Sequence, residues 1–297
     1  MIAPDRDFRG YGEQPPVVRW PGNARVAVSF VLNIEEGAEL ALSSGDERNE
    51  SVYEVQQELI GARDFAMESH FEYGSRAGYW RIMRLFEKFG IKLTLNLCGR
   101  TLEATPWLAQ HAVAQGHEIM CHGWRWDDNV RMDEAEERAM IACCVAAIEA
   151  ATGTRPVGWH VRSHPSENTR RLLREEGGFL YDSNLYNDDL PITLQRGDQP
   201  YVLLPYAFDT NDMNFFRVSR FVHGKDFAQY CEDAFDWLHM EGETTPKMMT
   251  IGLHTRIIGR PGRIGGLAKF LEFLASRGGA WITRRDEIAK TWLDQGL

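Results

Sequence analysis

The sequence lacks the features that attach a protein to a membrane or export it. No run of eighteen apolar residues occurs in its 297 residues, whereas a membrane-spanning helix needs about 20 of them. The first residues, MIAPDRDFRGYG, are polar and lack the apolar stretch of a secretory signal. We therefore expect a cytoplasmic protein with no membrane partner.

A surplus of positive charge and a disulfide framework are also missing. Lysine and arginine number 33 against 43 aspartates and glutamates, for a formal net charge of −10, which disfavours nucleic acid as a partner. The five cysteines include no CxxC pair, and an odd count with two adjacent cysteines is a poor disulfide framework. These absences are consistent with a reducing cytoplasm, and they do not exclude a small molecule as the substrate.

The apolar residues that are present fall into short runs that alternate with helical patterns. The first run, VAVSFVLN at 26–33, is rich in β-branched residues and predicts a buried strand. This alternation predicts one α/β domain over residues 1–297, with a mainly parallel sheet or barrel. Further strands are predicted at 93–97, from 118, and at 157–160, 179–181, 201–204, 248–254 and 280–283; helices are predicted at 77–89, 103–115, 132–151, 168–177, 225–240, 263–277 and from 286 onward.

One long segment, residues 38–76, shows no clear pattern between the first strand and the first clear helix. Irregular segments of that length are uncommon in compact domains and are often functional. We expect it to serve either as a lid over a site or as a contact between subunits.

Polar and aromatic side chains follow four of the predicted strands. In a barrel of alternating strands and helices, the active residues cluster at the carboxyl ends of the strands. Their convergence on one face predicts a binding or catalytic site. The candidates are Asn33, Glu35 and Glu36 after the first strand, His122, Trp124 and Trp126 after the third, Trp159, His160, Arg162 and His164 at the fourth, and His254 and Arg256 after the strand at 248–254.

Several of these residues could have structural roles instead of functional ones. A carboxylate after a strand is often a helix cap or a solvated charge. Glu35 and Glu36 are adjacent and point to opposite faces in extended chain, so we expect only one of them to face the site. Trp124 and Trp126 are as readily packing residues as walls of a substrate pocket.

Three of these segments resemble the motifs of the polysaccharide deacetylase superfamily. SFVLNIEEGAE (29–39), GHEIMCHGWRW (116–126) and IGLHTR (251–256) are similar to its aspartate-pair strand, its histidine-pair motif and its late strand with a catalytic histidine. Six segments, one of which extends IGLHTR, look like the allantoinase-like branch, which includes metal-independent allantoinases and bacterial cyclic imide hydrolases. They are RDFRGYG (6–12), MESHFEYGSRAG (67–78), NTRRLLREEGGFLYDSN (168–184), DDLP (188–191), DTNDM (209–213) and IGLHTRIIGRP (251–261).

The resemblance covers almost the whole chain and implies a fold, a reaction and an assembly. It implies a deformed (β/α)7-type barrel of the polysaccharide deacetylase, or NodB-like, kind. It also implies a hydrolase of non-peptide carbon–nitrogen bonds, either an imidase that opens a cyclic imide or an allantoinase-like enzyme that opens a ureide. Relatives of this kind are often homotetramers, so we expect a homo-oligomer.

The chain departs from the metal-dependent members at their ligand positions. Glu35 stands where they place an aspartate ligand, and Trp126 stands where they place the second histidine. Zinc normally needs at least three protein ligands, and Glu35 with His122 supplies two. We therefore expect no cofactor, although zinc stays possible if His160 or His164 supplies a third ligand.

The loop WHVRSHPSENTR (159–170) is a second departure. The allantoinases have a glycine- and arginine-containing loop there, without this pair of histidines. Because the loop is expected to line the pocket, cyclic imides and allantoin-type ureides both stay open as substrates.

The residues suggest a mechanism for opening a cyclic amide. Glu35 is the candidate general base or water positioner, with Glu36 as its competitor, and burial would need to raise its pKa for it to act as a base near neutral pH. His254 is the candidate acid or oxyanion donor. Asn33 and Arg256 could donate hydrogen bonds to substrate carbonyls, and His122 could orient the water or the substrate. Further contacts to the substrate are expected from His160, Arg162 and His164. The walls of the substrate pocket are expected from Trp124, Trp126 and Trp159.

Two other functions compete with this interpretation. A metal-dependent polysaccharide or peptidoglycan N-deacetylase would need a metal-binding triad, and Asn33 in place of its aspartate base cannot accept a proton. A non-catalytic ligand-binding relative would have no need to keep Glu35, His122 and His254 together.

Overall fold

The computed structural model describes residues 6–52, 54–162, 164–194, 200–217 and 221–297. The strands in this part of the chain are β1 (Val26–Ile34), β2 (Thr94–Leu97), β3 (Glu118–Cys121), β4 (Gly158–Trp159), β5 (Tyr181–Asp182), β6 (Ile192–Leu194), β7 (Tyr201–Leu203), β8 (Lys247–His254) and β9 (Ala280–Ile282). The α-helices are α1 (Phe65–Tyr73), α2 (Tyr79–Lys88), α3 (Thr101–Ala104), α4 (Pro106–Ala114), α5 (Glu134–Thr152), α6 (Thr169–Glu176), α7 (Gly224–Glu241), α8 (Pro261–Arg277) and α9 (Arg285–Asp294).

The strands form one curled sheet in the order β6-β7-β5-β4-β3-β2-β1-β8. Neighbouring strands are parallel except β6 and β7, and β9 pairs with the first three residues of β1. The sheet bends until Asn211 forms a parallel bridge with Gly252 of β8, and the Gly252 N–H donates to the Thr210 carbonyl at 3.0 Å. The predicted deformed barrel is therefore confirmed.

Strand β1 shows why the site residues point inward. All nine of its residues are buried, as expected for a central parallel strand. Alternate residues such as Phe30 and Leu32 pack in the main core cluster, while Val31 packs in the second cluster, on the opposite face of the strand. Val31, Asn33 and Glu35 alternate along the face that points into the barrel. The alternation of the strand therefore places the side chains of Asn33 and Glu35 at one end of the barrel.

The opposite end of the barrel is filled by a buried arginine. Arg285, at the start of α9, is fully buried and donates to the hydroxyls of Ser29, Ser183 and Thr250 at 2.8–3.0 Å. It also donates to the carbonyls of residues 204 and 205. The guanidinium therefore ties β1 and β8 to the segments that follow β5 and β7.

Three secondary-structure predictions need correction. Residues 65–73 of the segment expected to be irregular form α1, which is capped by Asp64 and followed by a π-helical turn at Gly74–Gly78. The helix buries only Met67 and Phe71, too few apolar positions to produce a helical pattern in the sequence. The helix predicted at 103–115 is broken into α3 and α4 before Pro106, and the antiparallel strand β6 was not predicted.

In the described part of the chain, the helices are all too short or too polar to cross a membrane.

Candidate active site

A pocket opens at the carboxyl ends of the strands, on the face that the sequence predicted. It encloses about 480 Å³ of empty space, part of it open to solvent. Several of the predicted site residues line it together with aromatic side chains. The lining residues are Asn33, Glu35, Val52, His122, Trp126, His160, Arg162, Tyr186, Tyr206, Phe208, Asn211, Met213, His254 and Arg256.

Glu35 lies at the centre of the charged groups in this pocket. Its Oε2 atom accepts a hydrogen bond from Arg256 Nη1 at 2.6 Å, and its Oε1 atom lies 3.2 Å from His122 Nε2 and 3.7 Å from His254 Nε2. Burial by itself raises the pKa of Glu35, but Arg256, His254 and His122 together bring it well below its ordinary value. The rise in pKa that a base near neutral pH would need is therefore not found at Glu35, because three nitrogen-bearing side chains surround the carboxylate.

His254 is held by Asp212, which the sequence did not single out. Asp212 Oδ1 accepts from His254 Nδ1 at 2.6 Å, while Oδ2 accepts the backbone N–H groups of His254 and Ile258 at 2.7 and 3.0 Å. Burial opposes the charged imidazole, but the Asp212 and Glu35 carboxylates outweigh it and raise the pKa of His254. His254 is thus suited to carry a proton near neutral pH.

Arg256 lies between three acidic residues and two rings, with its Nη1 atom 4.0 Å from Glu36 Oε1. Besides Glu35, it forms an ion pair with Glu54, which lies in the long segment between β1 and α1. Its guanidinium carbon lies 4.5 Å from the ring centre of Phe71 and 5.3 Å from that of Trp126. The long segment therefore supplies part of the wall around the site.

Glu36 points away from the pocket, so Glu35 is the one of the two adjacent glutamates that faces the site. The Thr255 hydroxyl donates to Glu36 Oε1, and the backbone N–H of Glu35 lies 3.2 Å from Glu36 Oε2. Burial is the main cause of the raised pKa of Glu36. Its carboxyl group therefore supports the backbone beside the site.

Asn33 lines the pocket, but its amide hydrogens are already engaged. Its Nδ2 atom donates to the Tyr206 hydroxyl at 3.1 Å and to the Leu253 carbonyl at 3.0 Å, and its Oδ1 atom accepts from Asn96 at 2.9 Å. Asn33 is therefore placed to orient Tyr206, and the predicted direct hydrogen bond to a substrate carbonyl would need one of these bonds to break.

Three other candidates lie apart from the pocket. Trp159 is fully buried in the core, where its ring meets Phe179 edge-on at 5.7 Å, because strand alternation turns it outward when His160 turns inward. Trp124 packs against the backbone at Gly99. His164 is largely exposed and its Nδ1 atom lies 2.6 Å from Asp128 Oδ1.

The residues present do not fit the divalent metal site of the metal-dependent deacetylases. Across the described ranges, the His, Cys, Asp and Glu side chains form no group of three that is arranged to hold a metal ion. The Arg256 guanidinium already neutralises Glu35, and the ring of Trp126 lies over that guanidinium. The site therefore pairs its central carboxylate with an arginine.

A deformed barrel with this strand-end site defines a class of hydrolases, and comparison with known proteins identifies the family. The sequence profile described as "Polysaccharide deacetylase" matches residues 63–177. A "Putative polysaccharide deacetylase" of Schizosaccharomyces pombe is 36% identical over 310 aligned positions, which cover 97% of this chain and 96% of that protein. The chain belongs to the polysaccharide deacetylase family.

Two solved structures are similar over nearly the whole chain. A "probable Polysaccharide deacetylase" from Pseudomonas aeruginosa PAO1 is 46% identical, with a TM-score of 0.92 and 97% of each chain covered. A structure described as PuuE allantoinase is also 46% identical, with a TM-score of 0.93 and 98% of each chain covered. The predicted relationship to the allantoinase-like branch is thereby confirmed.

Proposed function

We propose that this hydrolase opens a small cyclic amide, either a cyclic imide or an allantoin-type ureide, with its own side chains as the reacting groups. The observation that carries the proposal is the Glu35 carboxylate, paired with Arg256 and facing the His254–Asp212 pair at the floor of a small pocket. The relative described as an allantoinase supports the same class of substrate.

Glu35 has the properties of a water-positioning group. Its lowered pKa keeps the carboxylate ionised at neutral pH, and Arg256 fixes one of its oxygens. The other oxygen lies 3.2 Å from His122 Nε2 and has a second lone pair, which can accept a hydrogen bond from a water molecule and direct it at the ring carbonyl carbon. As the carbon–oxygen bond forms and the water becomes acidic, its proton passes to Glu35.

His254 has the properties of the proton donor. Asp212 holds its Nδ1 atom, which leaves Nε2 facing the pocket and Glu35. In its charged form Nε2–H stabilises the carbonyl oxygen as that oxygen gains charge, or it protonates the leaving nitrogen as the carbon–nitrogen bond breaks. The product is an open-chain acid with a free amide or urea group.

Isosteric substitution at the two adjacent glutamates tests this assignment. Glu35→Gln is expected to lower kcat for succinimide by roughly 100-fold or more, since general base groups contribute about 10²–10⁴-fold. Glu36→Gln is the matched control and is expected to stay within about threefold of the wild type, because Glu36 does not line the pocket and the glutamine oxygen can still accept the hydrogen bond from the Thr255 hydroxyl. The assignment is wrong if Glu35→Gln retains wild-type turnover.

Hydrolysis of an N-acetyl group on a sugar is the second candidate. It is favoured by the names of the relatives and by the stacked Tyr186 and Phe208 rings, 4.1 Å apart and about half-exposed, which offer a platform at the pocket mouth. This alternative predicts release of acetate from chitin oligosaccharides and no opening of succinimide.

A further inference from the structure

We propose that Tyr206 and His160 form a donor–acceptor pair that recognises the O=C–N–H edge of an unsubstituted cyclic amide. This inference rests on the proposed function, because it names the feature by which that site selects its substrate. It assigns the carbonyl oxygen of the ring to the Tyr206 hydroxyl and the ring N–H to His160 Nε2.

His160 presents a hydrogen-bond acceptor to the pocket. Its Nδ1 atom lies 3.1 Å from the Ser183 carbonyl, which can only accept, so Nδ1 carries the hydrogen. Burial lowers the pKa of His160 well below its ordinary value, and the ring is therefore neutral. A neutral imidazole with hydrogen on Nδ1 carries a lone pair on Nε2, and no protein donor to that atom is found among the described residues.

Tyr206 presents the matching donor. Its oxygen accepts a hydrogen bond from Asn33 Nδ2 at 3.1 Å, so its own hydrogen must point elsewhere. Burial raises the pKa of Tyr206, which keeps the hydroxyl protonated at neutral pH. Over the described ranges this hydroxyl meets no protein acceptor.

The rings of the two residues lie side by side in the pocket wall. The rings of His160 and Tyr206 stack with centres 4.2 Å apart and an angle of 25° between their planes. Both residues line the pocket, and His160 also stacks on His122 with ring centres 5.6 Å apart. The stack therefore fixes a donor and an acceptor next to the catalytic groups.

A small ring has the amide geometry that such a pair fits. Ring closure forces the amide to be cis, which places its carbonyl oxygen and its N–H hydrogen on the same side. An open-chain secondary amide, such as the acetamido group of a sugar, strongly prefers trans and points the two groups in opposite directions. A paired donor and acceptor therefore selects a cyclic amide over an acetamide, and an N–H ring over an N-methyl ring.

Binding of three small amides tests the pair independently of turnover. 2-Pyrrolidinone carries the cis edge, N-methyl-2-pyrrolidinone lacks the N–H, and N-methylacetamide is trans. The wild-type protein is expected to bind 2-pyrrolidinone at least about tenfold more tightly than the other two, because a buried polar group left unpaired carries a penalty of that order. Calorimetric or NMR titration gives the three affinities.

Variants assign that preference to the two side chains. Tyr206→Phe keeps the stacked ring and removes the donor, and His160→Phe removes the acceptor; each is expected to bring the preference to within about twofold of unity. Tyr230→Phe, which removes a partly exposed hydroxyl on α7, is the matched control and should keep the preference. Unfolding temperatures show that each variant is folded.

The outcomes distinguish a failure of the Tyr206–His160 pair from a failure of the proposed function. Equal wild-type binding of all three amides, or a preference that survives Tyr206→Phe, overturns the pair. A preference that is lost in Tyr206→Phe supports it. Failure to open both succinimide and allantoin overturns the proposed ring opening, while the binding preference still decides on the pair.

Discussion

At the scale of single residues, the site combines two acidic residues with different proposed functions. Glu35 is surrounded by Arg256, His122 and His254 and is kept ionised, while Asp212 holds His254 and is proposed to act only through it. Sequence reasoning found Glu35 and His254 because both follow predicted strands. It did not select Asp212, because the extended segment before it pairs with β8 through a single bridge and has no strand pattern of its own.

Asp212→Asn tests how His254 is tuned. Asp212 raises the pKa of His254, so the protonated, active form persists to higher pH in the wild type. Without that charge the pKa falls, and the alkaline limb of the kcat–pH profile for succinimide is expected to move to lower pH. At neutral pH kcat is expected to fall by roughly 100-fold, the usual contribution of a general acid.

The control for this substitution lies three residues earlier. Asp209→Asn removes an exposed carboxylate from the same segment and is expected to leave the pH profile unchanged. If the alkaline limb of Asp212→Asn coincides with that of the wild type, His254 is not the proton donor whose pKa Asp212 sets.

At the scale of the elements, α1, the π-helical turn and α2 support the residues around Arg256. A Cβ atom at Gly74 would overlap the Glu36 carboxyl group, and one at Gly78 would overlap the Thr255 carbonyl oxygen. The two glycines therefore let the helix approach the turn that follows β8. π-Helical turns are frequent at functional sites, and this one lies directly behind the site.

Gly78→Ala tests this close contact. The added methyl group meets backbone atoms that cannot rotate away, so we expect the free energy of unfolding to fall by about 1–3 kcal/mol. We also expect kcat/KM to decrease, because the displaced turn carries Arg256. Urea unfolding and steady-state kinetics measure the two effects.

Gly262→Ala is the matched helical control. A Cβ atom at Gly262 meets nothing within 4 Å, and replacing glycine by alanine where the backbone conformation accepts it stabilises a protein by about 0.4–1 kcal/mol. This variant is expected to be as stable as the wild type or slightly more so. Equal stability of both alanine variants would show that the close approach at Gly78 is unimportant.

The pattern of strands and helices could be predicted where apolar runs were long. β1, α5, α7 and β8 lie within one or two residues of their predicted ends. The helix α1 could not be predicted, since its contacts with the barrel come from two apolar residues and from glycine packing rather than from an apolar face.

At the scale of the whole molecule, the barrel brings distant segments together around the Glu35–Arg256 ion pair. Arg256 comes from the loop after β8, His122 from the end of β3, and Glu54 from the long segment that precedes α1. The sequence predicted that strand ends would converge, but it did not predict that Arg256 would neutralise Glu35. That pairing depends on the curvature of the sheet, which a one-dimensional pattern does not encode. The homotetramer and the cytoplasmic location stay predictions.

The most direct test of this account is ring opening of succinimide by metal-stripped protein, measured before and after zinc is added. Because the Arg256 guanidinium neutralises Glu35 and the metal-binding histidine position holds Trp126, we predict the same kcat/KM in both conditions. Activity that disappears on chelation and returns only with zinc would contradict the account.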